Sequence, residues 1–281
     1  MKPYRYAINY IAGAPTVEEG LDLIKKVGYD GVFFGWNPDV WANLRNVNAA
    51  RERGLEVTSI HAPFTHVQYI WRENDARGEL ATEEQIVCLR QCAALNVPVM
   101  VLHVFIGFLE HTPTEIGLQR YGRIIKEAER LGVKLGFENT EGEEYLAAIF
   151  ERYGDRPSVG FCLDTGHEQV YNGGKDLMAL YGSKLVHTHF NDNKGETLPI
   201  DRPEHTYYRD LHLVMGDGIV DWKGVMDRIE KVGYTGFLTC ELGQHGSDHY
   251  PGTHDRYRAM SLEEFLRYTY DRMVAVAERK L

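Results

Sequence analysis

Long apolar runs are absent from this sequence. The longest, residues 97–109, contains His103 and is too short to cross a bilayer, so no membrane-spanning segment is expected. The N-terminal segment lacks the apolar core of a secretory signal. We therefore expect a cytoplasmic protein that has no membrane partner.

Cysteine is scarce, and its spacing does not match that of a zinc knuckle. The chain of 281 residues contains four: Cys88, Cys92, Cys162 and Cys240. All of them lie in apolar contexts typical of helices or strands, and none requires an oxidising compartment. Buried free thiols are the prediction.

Basic residues are fewer than acidic residues in this chain. The chain has 31 lysines and arginines against 41 aspartates and glutamates, which gives a net charge of −10. Proteins that bind nucleic acid through its phosphates usually carry a basic face. A nucleic-acid partner is therefore not expected.

What the chain does contain is an alternation of short apolar runs with longer amphipathic ones. Eight runs are typical of strands: residues 4–10, 30–35, 55–60, 97–103, 133–138, 159–164, 185–190 and 236–241. Six are typical of helices: residues 16–28, 82–96, 116–132, 143–154, 221–233 and 261–280. Alternating strands and helices form parallel βαβ units. Eight units predict an α/β protein that folds as a single (β/α)8 TIM barrel, with residues 1–281 as one domain.

Capping residues mark several of the predicted helix boundaries. Thr16 and Thr82 are predicted to cap the first two helices, and Asp221 the helix that follows it. Glycines end four helices, at positions 28, 132, 154 and 233.

Imidazoles and carboxylates stand at or just beyond the ends of the last six predicted strands. They are His61, His103, Glu138, Asp164, His167, His189, Asp210, His212 and Glu241. Each one alone is more often a hydrogen-bonded or solvated side chain. In a (β/α)8 barrel, however, these strand ends converge on the active site, where carboxylates would repel one another. A cation resolves that repulsion, so a divalent metal site is predicted.

Six short motifs resemble those of the xylose-isomerase-like TIM-barrel superfamily. They are HAPF (61–64), FENT (137–140), CLDTGH (162–167), HFND (189–192), GDGIVDW (216–222) and GYTGFLTCEL (233–242). The resemblance covers nearly the whole chain. The superfamily includes sugar isomerases and epimerases, with endonuclease IV as a related branch.

The resemblance to the ketose epimerases implies a four-ligand site for one divalent ion, usually manganese. Its ligands would be Glu138, Asp164, His189 and Glu241. The two glutamates would also move protons through an enediolate, and His167 would contact the substrate hydroxyls, so these three are the expected catalytic residues. The expected substrate is a small carbohydrate, either a sugar or a related polyol or keto-sugar.

Three further residues are candidates for substrate binding. The epimerases usually carry an arginine shortly after the strand-seven histidine, where this chain offers Lys194. Trp36 and Phe64 lie on the loops after strands two and three and are candidate walls for a sugar ring. Ordinary loop packing explains these aromatic residues equally well.

The resemblance to endonuclease IV implies a different protein, a multi-zinc phosphodiesterase that acts on abasic DNA. Further metal ligands would then be His61, His103, His167, Asp210 and His212. The GDGIVDW loop resembles the sugar branch instead. The sequence thus favours a metal-dependent sugar isomerase or epimerase using zinc or manganese. The phosphodiesterase, a non-catalytic sugar-binding barrel, and lyase-type or dehydratase chemistry stay open as alternatives. A homo-oligomer is compatible with the sequence.

Overall fold

Eight parallel strands form a nearly closed barrel in the computed structural model, which describes residues 4–197, 199–246 and 249–281. The strands are β1 (Arg5–Asn9), β2 (Gly31–Gly35), β3 (Glu56–His61), β4 (Val99–His103), β5 (Lys134–Glu138), β6 (Val159–Asp164), β7 (Leu185–His189) and β8 (Phe237–Cys240). Sequential neighbours pair, and β1 also pairs with β8. Between β7 and β8, the Phe190 N–H donates to the Thr239 carbonyl at 2.7 Å, and the Glu241 N–H to the Phe190 carbonyl at 3.1 Å. The predicted (β/α)8 TIM barrel is confirmed.

Ten α-helices are present in the described ranges of the chain. They are α1 (Val17–Val27), α2 (Val40–Glu52), α3 (Ala76–Ala94), α4 (Glu115–Leu131), α5 (Glu143–Tyr153), α6 (Thr165–Val170), α7 (Leu177–Tyr181), α8 (Trp222–Lys231), α9 (Asp255–Arg258) and α10 (Leu262–Ala277). The same ranges contain four short 3-10 helices: Val67–Trp71, Gly182–Lys184, Gly195–Thr197 and Pro203–Arg209. The main apolar core lies between the strands and the surrounding helices.

Two of the three predicted N-caps are confirmed, and one is wrong. The Thr16 hydroxyl accepts the Glu19 N–H at 3.2 Å, and Asp221 caps α8. Thr82, in contrast, lies inside α3, where its hydroxyl donates to the Gly78 carbonyl at 2.7 Å. Helix α3 begins earlier because Asp75 caps it and the next residues, ARGELA, contain good helix formers.

The four cysteines are buried and free, as predicted. Cys162 packs inside the barrel with Val99 and Val101, and Val186 lies against them. Gly160 leaves room for this layer, because a Cβ there would lie 2.5 Å from Val186. Along the described chain, no helix combines the length and the apolar character needed to cross a membrane.

The alternation of side chains along a strand places the polar strand ends above this apolar layer. His103 follows Val101 by two residues on β4, and Asp164 follows Cys162 by two on β6, so each polar residue shares the inward face of its predecessor. His187 lies one layer below His189 and accepts or donates a hydrogen bond with Ser59 at 3.2 Å. The strand period therefore directs the predicted ligands into one mouth of the barrel.

A single buried carboxylate anchors the long segment after β7. Asp192 accepts hydrogen bonds from the Gly216 N–H (2.7 Å), the Val220 N–H (3.0 Å) and the Trp222 indole N–H (2.9 Å). It thereby ties the GDGIVDW turn and the start of α8 to the end of β7. Gly218 is required at the centre of this turn, because a Cβ would lie 2.2 Å from the Asp192 carboxylate.

We predict that Asp192→Ala lowers the free energy of unfolding by at least about 3 kcal/mol, because the donors of Gly216, Val220 and Trp222 each lose their acceptor at roughly 1–3 kcal/mol. Asp221→Ala is the matched control, since this exposed residue caps only α8 and its loss should cost about 1 kcal/mol. Urea denaturation measures both variants. Equal losses in the two variants would contradict the anchoring role.

Candidate metal centre and active site

Glu138, the last residue of β5, lies at the centre of the barrel mouth. Its Oε2 is 3.2 Å from His61 Nε2 and 3.4 Å from His103 Nε2, and its Oε1 is 3.1 Å from His189 Nδ1. The carboxylate is fully buried. Three imidazoles, each from the end of a different strand, therefore converge on one carboxylate.

Four of the predicted ligands form one group around this carboxylate. The ligand atoms of Glu138, Asp164, His189 and Glu241 all lie within 4.8 Å of one another. The Glu241 Oε2 is 3.1 Å from His189 Nδ1. The structure thus brings together the four residues proposed for a single divalent ion, all of types that bind zinc or manganese.

Two further groups include every other predicted ligand. His61, His103 and Glu138 form one, and His167, Asp210 and His212 form the other, with the same mutual distances within 4.8 Å. In the second, Asp210 Oδ2 lies 3.1 Å from both His167 Nε2 and His212 Nε2. Asp210 and His212 come from the segment after β7, which the Asp192 anchor holds in place.

Hydrogen bonds to backbone carbonyls fix the orientation of two of the imidazoles. His61 Nδ1 donates to the Ala62 carbonyl at 2.9 Å, and His212 Nδ1 donates to the Glu241 carbonyl at 3.0 Å. In the neutral ring, Nε2 is then a lone-pair acceptor that faces a carboxylate oxygen. The lone pairs of these two acceptor atoms repel each other, and only a proton or a metal ion between them relieves the repulsion. Metal-binding histidines are commonly oriented in this way. The donor set therefore fits a divalent cation.

The backbone at His212 supports the same interpretation. Its φ of 47° lies in the left-handed region, which a residue other than glycine rarely adopts. Such strain persists where the surrounding structure imposes it, and it is concentrated at functional sites. Here the Nδ1 bond to the Glu241 carbonyl and the contact with Asp210 hold the ring in place.

Burial and mutual charge set the protonation of the cluster. Burial alone would raise the pKa of Glu138, but the surrounding imidazoles, His189 first, hold it well below its usual value. Burial raises the pKa of Asp164 to about 7, and the neighbouring Glu138 adds to that effect. Burial alone would lower the pKa of His212, but the adjacent Asp210 carboxylate raises it to about 10. In the absence of a metal ion, protons on the imidazoles therefore balance the carboxylates.

A cavity of about 660 Å³ opens above the cluster. Its walls are largely apolar or aromatic: Phe64, Phe105, Ile106, Phe108, Leu109, Tyr171 and Tyr207. Of the four-residue group, Glu241 alone is among the described residues that line this cavity, whereas Glu138 lies beneath its surface. The cavity is large enough for a small organic ligand.

The structure brings one of the three candidate substrate-binding residues to this cavity. Phe64 lines it and stacks on His103, with ring centroids 4.8 Å apart. The indole of Trp36 instead donates to Gln91 at 3.1 Å and packs against the core. Lys194 follows β7 and is not among the lining residues that the structure describes.

Glu141, three residues after Glu138, is a cavity residue that was not predicted from the sequence. Its side chain is buried, lines the cavity, and accepts the Gly107 N–H at 3.1 Å through Oε1. Burial raises its pKa to about 7. The signal available in the sequence was an acidic residue directly after the FENT motif, although burial in a cavity wall depends on tertiary packing.

The family described as the xylose isomerase-like TIM barrel matches residues 21–265. The rhizopine catabolism protein MocC of Rhizobium meliloti is 31% identical over 166 residues, which cover 53% of this chain and 49% of that protein. The inosose dehydratase of Lactiplantibacillus plantarum is 30% identical over 149 residues, covering 47% and 46%. This chain thus spans about half the length of these two relatives.

Two solved structures share the fold over almost the whole chain. The IolI protein with a bound zinc atom has a TM-score of 0.73 at 15% identity and covers 99% of each chain. A D-tagatose 3-epimerase-like protein has a TM-score of 0.71 at 18% identity and covers 98% of this chain and 99% of its own. At these identities the likeness establishes the barrel architecture.

Proposed function

This chain belongs to the xylose isomerase-like TIM-barrel family, and from that premise we propose that it is a metal-dependent enzyme acting on a sugar or a cyclic polyol ketone. Its reaction would begin with removal of a proton from the carbon next to the carbonyl group. The observation that carries this proposal is the group of Glu138, Asp164, His189 and Glu241 beneath a cavity of suitable size. The relatives named as an inosose dehydratase and a tagatose epimerase-like protein support the substrate class.

The metal proposed for this group is zinc or manganese, since both accept imidazole and carboxylate ligands. When bound there, a divalent ion would supply Lewis-acid stabilisation of negative charge on a substrate oxygen. The zinc-containing neighbour IolI supports a metal at this position. The oriented imidazoles of His61 and His212 support a cation in the two groups beside it.

Glu241 is the better candidate of the two glutamates for removing the proton. It lines the cavity, and its Oε2 contacts His189 Nδ1 at 3.1 Å, which leaves its other oxygen for substrate. Glu138 is enclosed by His61, His103 and His189, and its main role is therefore proposed as that of a ligand. His167 lines the same cavity and is proposed to contact substrate hydroxyls.

We expect Glu241→Gln to lower the rate of solvent deuterium exchange into substrate by roughly 10²–10⁴, the usual contribution of a general base. The test uses an inosose, D-tagatose and L-ribulose as probes in D₂O, followed by NMR. Glu138→Gln should instead reduce the bound metal more strongly than Glu241→Gln does, as measured by metal analysis of the purified proteins.

Glu144→Gln is the control for both variants, because this glutamate pairs with His111 outside the cavity. It should retain wild-type exchange and metal content. If the wild-type protein exchanges deuterium into none of the probes, the proposed reaction class is wrong. If Glu138→Gln retains its full metal content, the proposed ligand set is wrong.

A multi-zinc phosphodiesterase is the second candidate, and the two additional ligand groups favour it. The cavity walls argue against a polyanionic substrate. Arg72 is the one lysine or arginine among the described lining residues, and Glu110 engages it through two hydrogen bonds of 3.2 and 2.6 Å. Glu110 and Glu204 add negative charge to the same walls.

We predict that zinc-saturated protein does not cleave an abasic-site duplex and does not bind it tightly at physiological salt. Too few cations are available at the cavity to release the counterions of DNA. Gel electrophoresis of a labelled oligonucleotide and a salt titration of binding measure the two properties. Cleavage, or sub-micromolar binding that weakens steeply with salt, would favour the phosphodiesterase instead.

A further inference from the structure

Glu141 is a buried carboxyl group in the cavity wall that none of the three ligand groups uses. The residue is 6% exposed, and its Oε1 is fixed by the Gly107 N–H at 3.1 Å. No lysine, arginine or histidine of the described residues lies within ion-pair distance of it. An ionised carboxylate without a partner is costly to bury, so a fold retains such a group only where another interaction compensates the cost.

The backbone around Glu141 holds this carboxyl group in place. Gly107 has a φ of 132°, a conformation that favours glycine, and this turn directs its N–H at Glu141. On the other side of Glu141, Gly142 has a φ of 77°, and a Cβ there would lie 2.9 Å from Phe105. Two glycines therefore allow the loop after β4 that contains residues 105–108, the wall loop, and the end of β5 to approach each other closely.

The surroundings of Glu141 favour its protonated form. Phe105, Ile106 and Phe108 belong to the same stretch of wall, and an apolar environment disfavours a charged carboxylate. The titratable groups that interact with it are His167, Tyr171 and Asp210, of which His167 alone stabilises the negative charge. A neutral carboxyl group that faces a ligand cavity is a proton donor.

The proposed reaction needs such a donor after the first proton transfer. Glu241 would take the first proton, and Glu138 is enclosed by imidazoles beneath the cavity surface. We propose that Glu141 is the general acid of this site and that it protonates a hydroxyl group leaving the carbon beyond the one deprotonated. This inference rests on the proposed function and assigns the site to the elimination of water.

The step balances as a dehydration. Glu241 takes the proton next to the carbonyl, and the electron pair of that C–H bond forms the new carbon–carbon double bond. The C–O bond of the neighbouring hydroxyl group breaks with its electron pair on oxygen, and the O–H proton of Glu141 joins it to form water. Solvent then takes the proton from Glu241 and returns one to Glu141, so no oxidant or reductant is required.

The test compares wild type with Glu141→Gln, which keeps an oxygen for the Gly107 N–H but cannot donate an acid proton. With an inosose as the probe in D₂O, the variant should retain deuterium exchange while water loss falls by roughly 10²–10⁴. An inosose carrying fluorine in place of the departing hydroxyl group should restore elimination in the variant, because fluoride leaves without protonation. Glu144→Gln should behave as wild type in all three measurements.

A further measurement does not depend on turnover. Infrared difference spectra between acidic and alkaline solution should contain the bands of two protonated carboxyl groups that titrate near neutral pH, Asp164 and Glu141. Glu141→Gln should remove one of these bands, and Glu144→Gln should retain both. If Glu141→Gln loses water at the wild-type rate, or if exchange and water loss fall equally, the assignment of Glu141 is wrong. If wild type exchanges deuterium but never releases water, the elimination is wrong while the proposed proton abstraction stands. Absence of exchange in wild type would overturn the proposed function itself.

Discussion

The arrangement of the barrel mouth depends on the burial of Glu138. A carboxylate removed from water is stable only when its charge and its lone pairs are satisfied. Here the requirement is met by His61, His103 and His189, so the ends of β3, β4 and β7 must converge on the end of β5. The same constraint explains why the pKa of Glu138 stays low although burial alone would raise it. The strand ends are therefore organised around one charge, which a bound cation would share.

The short motifs of the sequence correspond to interlocking parts of this arrangement. Asn139 of FENT clamps the backbone of Asp164 through two hydrogen bonds of 2.8 Å, and Asn191 of HFND donates to the Asp164 carboxylate at 2.7 Å. Thr165 of CLDTGH donates to the Asn191 carbonyl at 2.7 Å. Gly166 is required beside them, because a Cβ would lie 1.8 Å from the Asn191 side chain. Three distant motifs thus fix the position of one candidate ligand.

The sequence predicted the features that local periodicity determines. The two-residue repeat of the strands fixes which side chains point inward, so the fold and the convergence of strand-end residues such as His103 and Asp164 were accessible. Loop directions depend on tertiary contacts instead. Trp36 bonds to Gln91 of α3 rather than facing the cavity. Thr82 failed as a cap because Asp75, which lies outside the predicted helix 82–96, starts the helix earlier. No pattern in the neighbouring sequence indicates that Glu141 is buried, because its burial depends on tertiary packing.

The stretch from Glu138 to Glu141 connects the floor of the cavity to its wall. Glu138 faces the imidazoles, Asn139 holds β6, Thr140 donates to the Phe105 carbonyl at 3.2 Å, and Glu141 accepts the Gly107 N–H. Consecutive residues alternate in direction at a strand end, so one short segment positions both surfaces. A displacement of the wall loop would therefore move the ligand cluster as well, and the apolar wall keeps the local dielectric low around both. Proton transfer in the proposed reaction would depend on this coupling between the wall and the ligand cluster. Glu141 of the wall and Glu241 of the cluster must both approach one substrate within hydrogen-bonding distance.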